Sequence, residues 1–361
     1  MATSSGFAVM RTKDKQKDSE GLYGNMTEDN ILLDHGSGGK MAHQLIEEMM
    51  VPAFANDILA GMNDGGVFTV GKNRLAFSTD TYTVDPIFFP GGSIGDLAIN
   101  GTVNDVCMCG ARPLYLSVGM IIEEGFPKED LRRILAEMKK AADFAGVQVI
   151  TGDTKVVPRG AADKIFINTA GIGLIPEGID VAGDRARPGD RVLISGSMAD
   201  HGVTILTQRE GLSFDSTVCS DSAALNHLVQ KMLDVVPDIH VLRDPTRGGV
   251  GTTLNEIAGQ SQAGIRLFED RLPVKPSVRG ICELLGLDPL YLANEGKLLV
   301  FVPAKAKDAL LEIMRADEFG REACEIGEVV SERSGKVFMQ TRIGGERIVD
   351  MLTGEQLPRI C

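Results

Sequence analysis

Apolar positions along the chain keep two rhythms, and each predicts a different element. Arg74-Leu75-Ala76-Phe77-Ser78 alternates as a strand does and runs to Asp80; Leu114 to Ile122 reads as a second strand. Between them, Ser93 to Cys109 is a run of small residues, predicting a helix capped by Ser93 and ended by Gly110. From Pro127 to Ala145, Leu131, Ile134, Leu135, Met138, Ala141, Ala142 and Ala145 fall on one helical face, with Gly146 at the stop. A strand over Val147 to Ile150 follows. The stretch Pro176 to Asp190, rich in Pro and Gly, predicts a domain boundary. Beyond it the same alternation resumes: strands at 191–195, 239–242, 298–302 and 336–340, and helices at 220–233, 276–285 and 304–315.

The pattern is that of an α/β (α+β) protein with an N-terminal domain over 29–180 and a C-terminal domain over 190–340. Residues 1–28 are polar and without period, which predicts a flexible leader; 341–361 reads as a flexible tail. With 361 residues, of which 43% are hydrophobic, two cores are within reach. The net charge of −13 argues against nucleic acid, since phosphate affinity rests on concentrated Lys and Arg. No apolar run is long enough to span a membrane and no secretory segment is present, so a cytoplasmic protein is expected. The six cysteines are scattered without a CxxC pair, which predicts free thiols. Glycine is unusually frequent, at 42 residues, and calls for many turns and close backbone approaches.

Four acidic residues, Asp80, Asp105, Asp153 and Asp244, read as following predicted strands beside Gly, Thr or Arg. Hard carboxylate oxygens at such turns suit a shared magnesium–nucleotide site. Each of them alone reads rather as the cap of a following turn, and it is the four in one setting that point to a shared metal site. Two Gly-rich segments, Asp34-His35-Gly36-Ser37-Gly38-Gly39-Lys40 and Thr246-Arg247-Gly248-Gly249, precede helical patterns. Backbone N–H groups there, with Lys40 or Arg247, would cradle phosphates, although neither matches a Walker or dinucleotide pattern. Cys361, last in a polar tail, has no core to enter by default and reads as a thiol on a carrier arm or as an incidental surface cysteine. His35 and His201 adjoin glycines and are candidates to meet a substrate.

Asp34-His35-Gly36-Ser37-Gly38-Gly39-Lys40, Phe77-Ser78-Thr79-Asp80, Pro90-Gly91-Gly92-Ser93-Ile94-Gly95-Asp96, Thr102-Val103-Asn104-Asp105, Gly152-Asp153-Thr154-Lys155, Asp244-Pro245-Thr246-Arg247-Gly248-Gly249 and Pro358-Arg359-Ile360-Cys361 occur together. In combination they resemble the carbamoyl dehydratase family of [NiFe]-hydrogenase maturation, within the aminoimidazole ribonucleotide (AIR) synthetase-like superfamily. The resemblance covers about residues 30–361. It implies an AIR synthetase-like two-domain fold whose N-terminal domain forms a shared β-barrel in a homodimer, with ATP bound in the cleft. It further implies a carbamoyl group placed on Cys361 by the carbamoyltransferase HypF and dehydrated there, with ATP, to a thiocyanate. The cyanide would then pass to iron on a HypC–HypD complex. On the same basis Gly36, Gly38, Gly39, Lys40, Asn104, Gly152, Thr154, Arg247 and Gly248 would hold nucleotide. Asp80, Asp105, Asp153 and Asp244 would hold Mg2+, with Lys155 and Cys361 in the chemistry. Glu295, in Ala293-Asn294-Glu295-Gly296-Lys297, would be the base, with His201 in reserve. A selenophosphate synthetase is disfavoured because no cysteine precedes Cys107.

Overall fold

In a computed structural model of the chain, residues 30–209, 217–354, 357 and 359–361 are described. The expected leader, 1–28, lies outside them. Short helices α1 (Lys40–Leu45) and α2 (Val51–Ala53) lead into a first sheet. Its parts are β1 (Gly66–Val70), β2 (Asn73–Tyr82), the hairpin β3 (Phe88–Phe89) and β4 (Gly92–Ser93), α3 (Ile94–Met108), β5 (Arg112–Glu123), α4 (Lys128–Ala145), β6 (Gln148–Val157) and β7 (Ile165–Ile175). The five long strands lie in the order β1-β2-β7-β5-β6. Only β5 and β6 are parallel, because α4 carries the chain back to the same end of the sheet. Ser93 caps α3 as predicted, in a capping box with Asp96, and Gly146 closes α4 in the left-handed conformation.

α3 and α4 cover one face of this sheet. Ala76, Ser78 and Tyr82 of β2 and Ile165, Ile167 and Thr169 of β7 point into it. The other face leaves Phe77, Tyr115, Ile121 and Leu174 exposed, and the edge strand β6 is exposed over nearly its whole length.

The second sheet begins after the Pro/Gly-rich stretch. It comprises β8 (Asp190–Ile194), α5 (Asp200–Arg209), α6 (Asn226–Val235), β9 (Val241–Arg243), α7 (Gly249–Ser261), β10 (Gly264–Phe268), α8 (Pro276–Leu285), β11 (Leu299–Pro303), α9 (Lys307–Arg315), β12 (Cys324–Val330), β13 (Val337–Gln340) and β14 (Glu346–Val349). Its strand order is β14-β13-β10-β12-β8-β11-β9. Val106, Cys107 and Met108 of α3 share a core with Leu228 and Val229 of α6 and Val300 of β11, and this joins the two sheets. Cys107 and Cys109 are buried thiols there.

Three expectations need correction. The helix predicted from Ser220 starts only at Asn226, because residues before it are spent on cross-domain bonds: Asn104 donates to the Ala223 carbonyl (3.0 Å) and accepts from the Leu225 N–H (2.8 Å). The expected tail is not free along its length, since Glu346–Val349 pairs with β13 and Ile360 and Cys361 are buried. Asp105 and Asp153 do not follow strands: the first lies within α3, the second inside β6.

Candidate active site

The floor of the main cleft, a cavity of about 1210 Å³, is acidic. Asp80 comes from the end of β2 and Asp105 from the last turn of α3; Asp244, from the turn after β9, is buried near them without lining the cavity. Asp64, just before β1, joins them. Burial is the main cause that raises the carboxyls of Asp64, Asp105 and Asp244 above their ordinary range, and their mutual repulsion adds to it. For Asp244 the value reaches about 6. Ser78 tethers the group, its hydroxyl lying 2.8 Å from Asp105 Oδ2 and 2.7 Å from the Asp64 carbonyl. Asp244 Oδ2 is buried without a hydrogen-bond partner, an arrangement that a hard cation would complete. No three His, Cys, Asp or Glu side chains among the described residues close on one point, so the expected four-carboxylate shell is not assembled within the chain.

A buried ion-pair chain braces this floor. Arg243 Nε meets Asp64 (2.6 Å), its Nη2 meets Glu256 of α7 (2.5 Å), and Glu256 meets His43 of α1 (3.0 Å). His43 Nδ1 in turn lies 3.1 Å from the Gly39 carbonyl, so the acids and the first Gly-rich segment are mechanically linked. The Glu256 hydrogen bond raises the His43 imidazole above its usual value. Sequence reasoning missed Asp64, Arg243 and Glu256. Asp64 stood in plain view in Asn63-Asp64-Gly65-Gly66, an acid beside two glycines.

The two Gly-rich segments do meet. Arg247 Nη1 donates to the Gly36 carbonyl (3.1 Å), and Gly38 lies against Arg247. Their role in this conformation is close packing: a Cβ on Gly39 would stand 2.3 Å from the Leu352 carbonyl, which also accepts from the Lys40 N–H (2.7 Å). The N–H groups of Gly39 and Lys40 are thus already bonded, the former to Ser37 Oγ (3.0 Å). Gly248 forms the N-cap of α7 in the left-handed conformation.

The segment ending in Cys361 packs next to Arg247: Leu357 and Ile360 line a small cavity there with Arg247 and Ala293, apart from the lining of the large one. Cys361 is only 9% exposed and belongs to a core cluster with Tyr82 and Ala293. Negative charge at Cys361, which carries the terminal carboxylate, is the largest influence raising the Arg247 guanidinium; burial opposes it, and Asp80 and Glu295 add to it. Glu295 is 4% exposed and its Oε1 has no hydrogen-bond partner. Burial, then Asp80, Asp221 and Asp244, push its carboxyl well above the usual range, while Arg247 opposes. Its peptide is pinned: the Glu295 N–H donates to Asp221 Oδ1 (3.1 Å), and a Cβ on Gly296 would lie 1.8 Å from the Asp221 carbonyl. His201, expected as the base in reserve, is held on both sides of its ring. It is fully buried, its Nε2 meets the Ile360 carbonyl (2.7 Å) and its Nδ1 the Ser220 hydroxyl (2.8 Å), so both ring nitrogens are committed.

Gly152, Asp153, Thr154 and Lys155 are not brought to this cleft. They sit on exposed β6, where Lys155 pairs with Asp153 (2.5 Å) and Gly152 packs on the Val118 carbonyl. Asn104 joins α3 to residues 223–225 through both ends of its amide.

Comparison with known proteins gives this geometry relatives. The N-terminal domain of AIR synthase related proteins matches residues 62–175, and the C-terminal domain matches 187–340. The chain is 56% identical over 327 residues to the carbamoyl dehydratase HypE of Azotobacter vinelandii, covering 91% of this chain and 96% of that one. It is similar to a solved hydrogenase maturation protein HypE in complex with ATP, with TM-score 0.78 and 57% identity over 92% of this chain and all of that one. It also matches a chain of a HypE–HypF complex, with TM-score 0.82 and 49% identity over 85% of this chain and 99% of that one.

Proposed function

The chain belongs to the carbamoyl dehydratase HypE family of AIR synthase-related proteins, and from that premise we propose that it dehydrates a carbamoyl group carried on Cys361. It is an ATP-dependent dehydratase acting in hydrogenase maturation. The balance is S–C(=O)NH2 plus ATP giving S–C≡N, ADP, phosphate and one proton: the amide oxygen leaves as phosphate oxygen, and both N–H bonds break. The single observation that carries this reading is the burial of Cys361 beside Arg247 and the unpartnered carboxyl of Glu295.

Each of the chain's groups then has a task. Arg247 meets the negative charge that builds as the amide oxygen is phosphorylated. Glu295, once ionised, takes a proton from the carbamoyl nitrogen; its lack of a competing donor leaves Oε1 free for that bond. Asp80, Asp105 and Asp244, with Asp64 behind them, fit Mg2+, since Arg243 offsets their crowding only in part and Asp244 Oδ2 is left without a partner. Bound there, Mg2+ would neutralise phosphate charge during transfer. The Gly-rich segments would hold the nucleotide after rearranging around Leu352.

A homodimer fits what one chain leaves open. The outer face of the first sheet carries Phe77, Tyr115, Ile121 and Leu174, and β6 is a bare edge; both call for cover. A shared barrel would bring Asp153 and Lys155 of one copy to the cleft of the other. We further assign the carbamoyltransferase HypF and a HypC–HypD complex as donor and acceptor partners, and the cytoplasm as the compartment; no described helix is long and apolar enough to cross a membrane.

The test is intact-protein mass spectrometry after carbamoylation by the transferase, with and without Mg-ATP, and with Cys361→Ala alongside. Loss of one water only with Mg-ATP, and no adduct on the variant, is the expected result. A carbamoyl adduct that persists unchanged would leave the chain a carrier without catalysis.

A further inference from the structure

Residues 359–361 are held in a way that owes nothing to the thiol. The Thr83 N–H donates to a terminal carboxylate oxygen of Cys361 (2.8 Å), and the Asp85 N–H to the Arg359 carbonyl (3.2 Å), so the tail lies along the chain that continues β2. His201 Nε2 donates to the carbonyl between them, that of Ile360 (2.7 Å). Arg209, at the end of α5, bridges the two sides: it donates to the carbonyls of both Asp85 and Arg359. All three tail residues are therefore bonded through a main-chain oxygen. Backbone contacts of this kind recognise an extended peptide and not its side chains.

Sequence is read at two points. Ile360 is 5% exposed, in the same core cluster as Cys361. The Arg359 guanidinium donates through Nε to the Thr83 carbonyl (2.7 Å), pairs through Nη1 with Asp163, and lies 5.8 Å from the centre of the Phe166 ring. Asp163 belongs to the turn between β6 and β7 and is half exposed. Its neighbour Lys164 meets Asp85 (2.6 Å), which fixes the turn against the same peptide track.

We propose that Asp163 and Arg209 are positioning residues of this track, holding the docked Arg-Ile-Cys segment through the Arg359 side chain and the Arg359 carbonyl. They place Cys361 beside Arg247 and Glu295 without touching the reacting atoms. Docking is then indifferent to whether the sulfur carries hydrogen, carbamoyl or cyanide, and one track serves substrate and product alike. The proposal rests on the dehydratase reading for its consequence in rate, but not for the docking itself.

Two readouts separate the two. Trypsin cuts after Arg359 only when that residue leaves the track, and intact mass reports the loss of Ile360 and Cys361. Single-turnover dehydration at saturating Mg-ATP reports placement of the reacting group. In the full chain, Asp163→Arg sets two cations together; it is expected to speed cleavage severalfold and slow dehydration roughly fivefold, with nucleotide affinity unchanged. Arg209→Gln, which loses charge-assisted bonds to two carbonyls, is expected to slow dehydration about tenfold or more. The double variant D163R/R359D restores the pair with its sense reversed and should recover rate over either single variant, which a merely structural role of Asp163 would not give. Asp163→Asn guards against misfolding, expected to give a weaker form of the same two effects. Cleavage and rate at wild-type values in Asp163→Arg, or a double variant no better than its parents, would overturn the proposal. If no thiocyanate forms in any variant, the dehydratase reading fails while the trypsin comparison still decides the docking.

Discussion

Glu295 and Asp244 show how much of the site lies in the setting of single carboxyls. Glu295→Gln keeps shape and removes the base, so dehydration should fall by roughly 10²–10⁴ while ATP affinity holds; single-turnover rates and nucleotide titration check both halves. Because burial and three neighbouring acids raise this carboxyl, the wild-type rate should climb with pH as it ionises, and the glutamine variant should lose that limb. Asp244 allows a stability test. Its value rises to about 6 on folding, so ionising it opposes the folded state: its contribution is whole below the ordinary carboxylate range and is lost as pH rises through about 6. In chelator, Asp244→Asn should therefore melt higher than wild type at pH 7.5, with the gap closing towards pH 5 and narrowing when Mg2+ is added to the wild type. Melting temperatures at the two pH values settle it; a gap independent of pH would remove Asp244 from the repelling cluster.

At the level of elements, what was legible in the sequence was what local chemistry decides. The helix after Pro127 could be read because its apolar face, first-turn acids and Gly146 agree, and α3 because Ser93 and Asp96 close a capping box. β7 went unread although its residues alternate, because Gly171 and Gly173 interrupt the apolar run where α3 and β5 press close. The start of α6 failed for a non-local reason: residues 220–225 bind Asn104, Asn100 and Glu295, contacts that no window of sequence contains. The same holds for the cleft. Asp80, Asp105 and Asp244 were legible as acids beside small residues, whereas Arg243 and Glu256, which pair beside them through Asp64, look like ordinary surface charges until α7 brings Glu256 against Arg243. The Glu295 turn depends on such a contact as well. Gly296→Ala drives a methyl into the Asp221 carbonyl and should destabilise the fold by about 1–3 kcal/mol in urea titration, with loss of dehydration beyond what stability explains.

For the molecule as a whole, the exposed face of the first sheet sets the next expectation. Ile150→Asp, at an exposed apolar position of β6, should shift the protein towards monomer in sedimentation and lower its activity. If Asp153 serves the neighbouring copy, mixing an Asp153→Asn chain with a Glu295→Gln chain should restore activity to a fraction of the heterodimers, while either homodimer stays inactive; no recovery on mixing would return Asp153 to a surface role. The bond from Lys40 to the Leu352 carbonyl has a further reach. It ties the root of the tail to the body of the enzyme, so a release of Cys361 for loading would begin only beyond Leu352. Fully stretched, that leash spans roughly 30 Å at about 3.3 Å per residue. On the proposed reading, a donor enzyme would have to bring its loaded centre to the rim of the docking track, and the handover would be a short-range exchange between two bodies in contact.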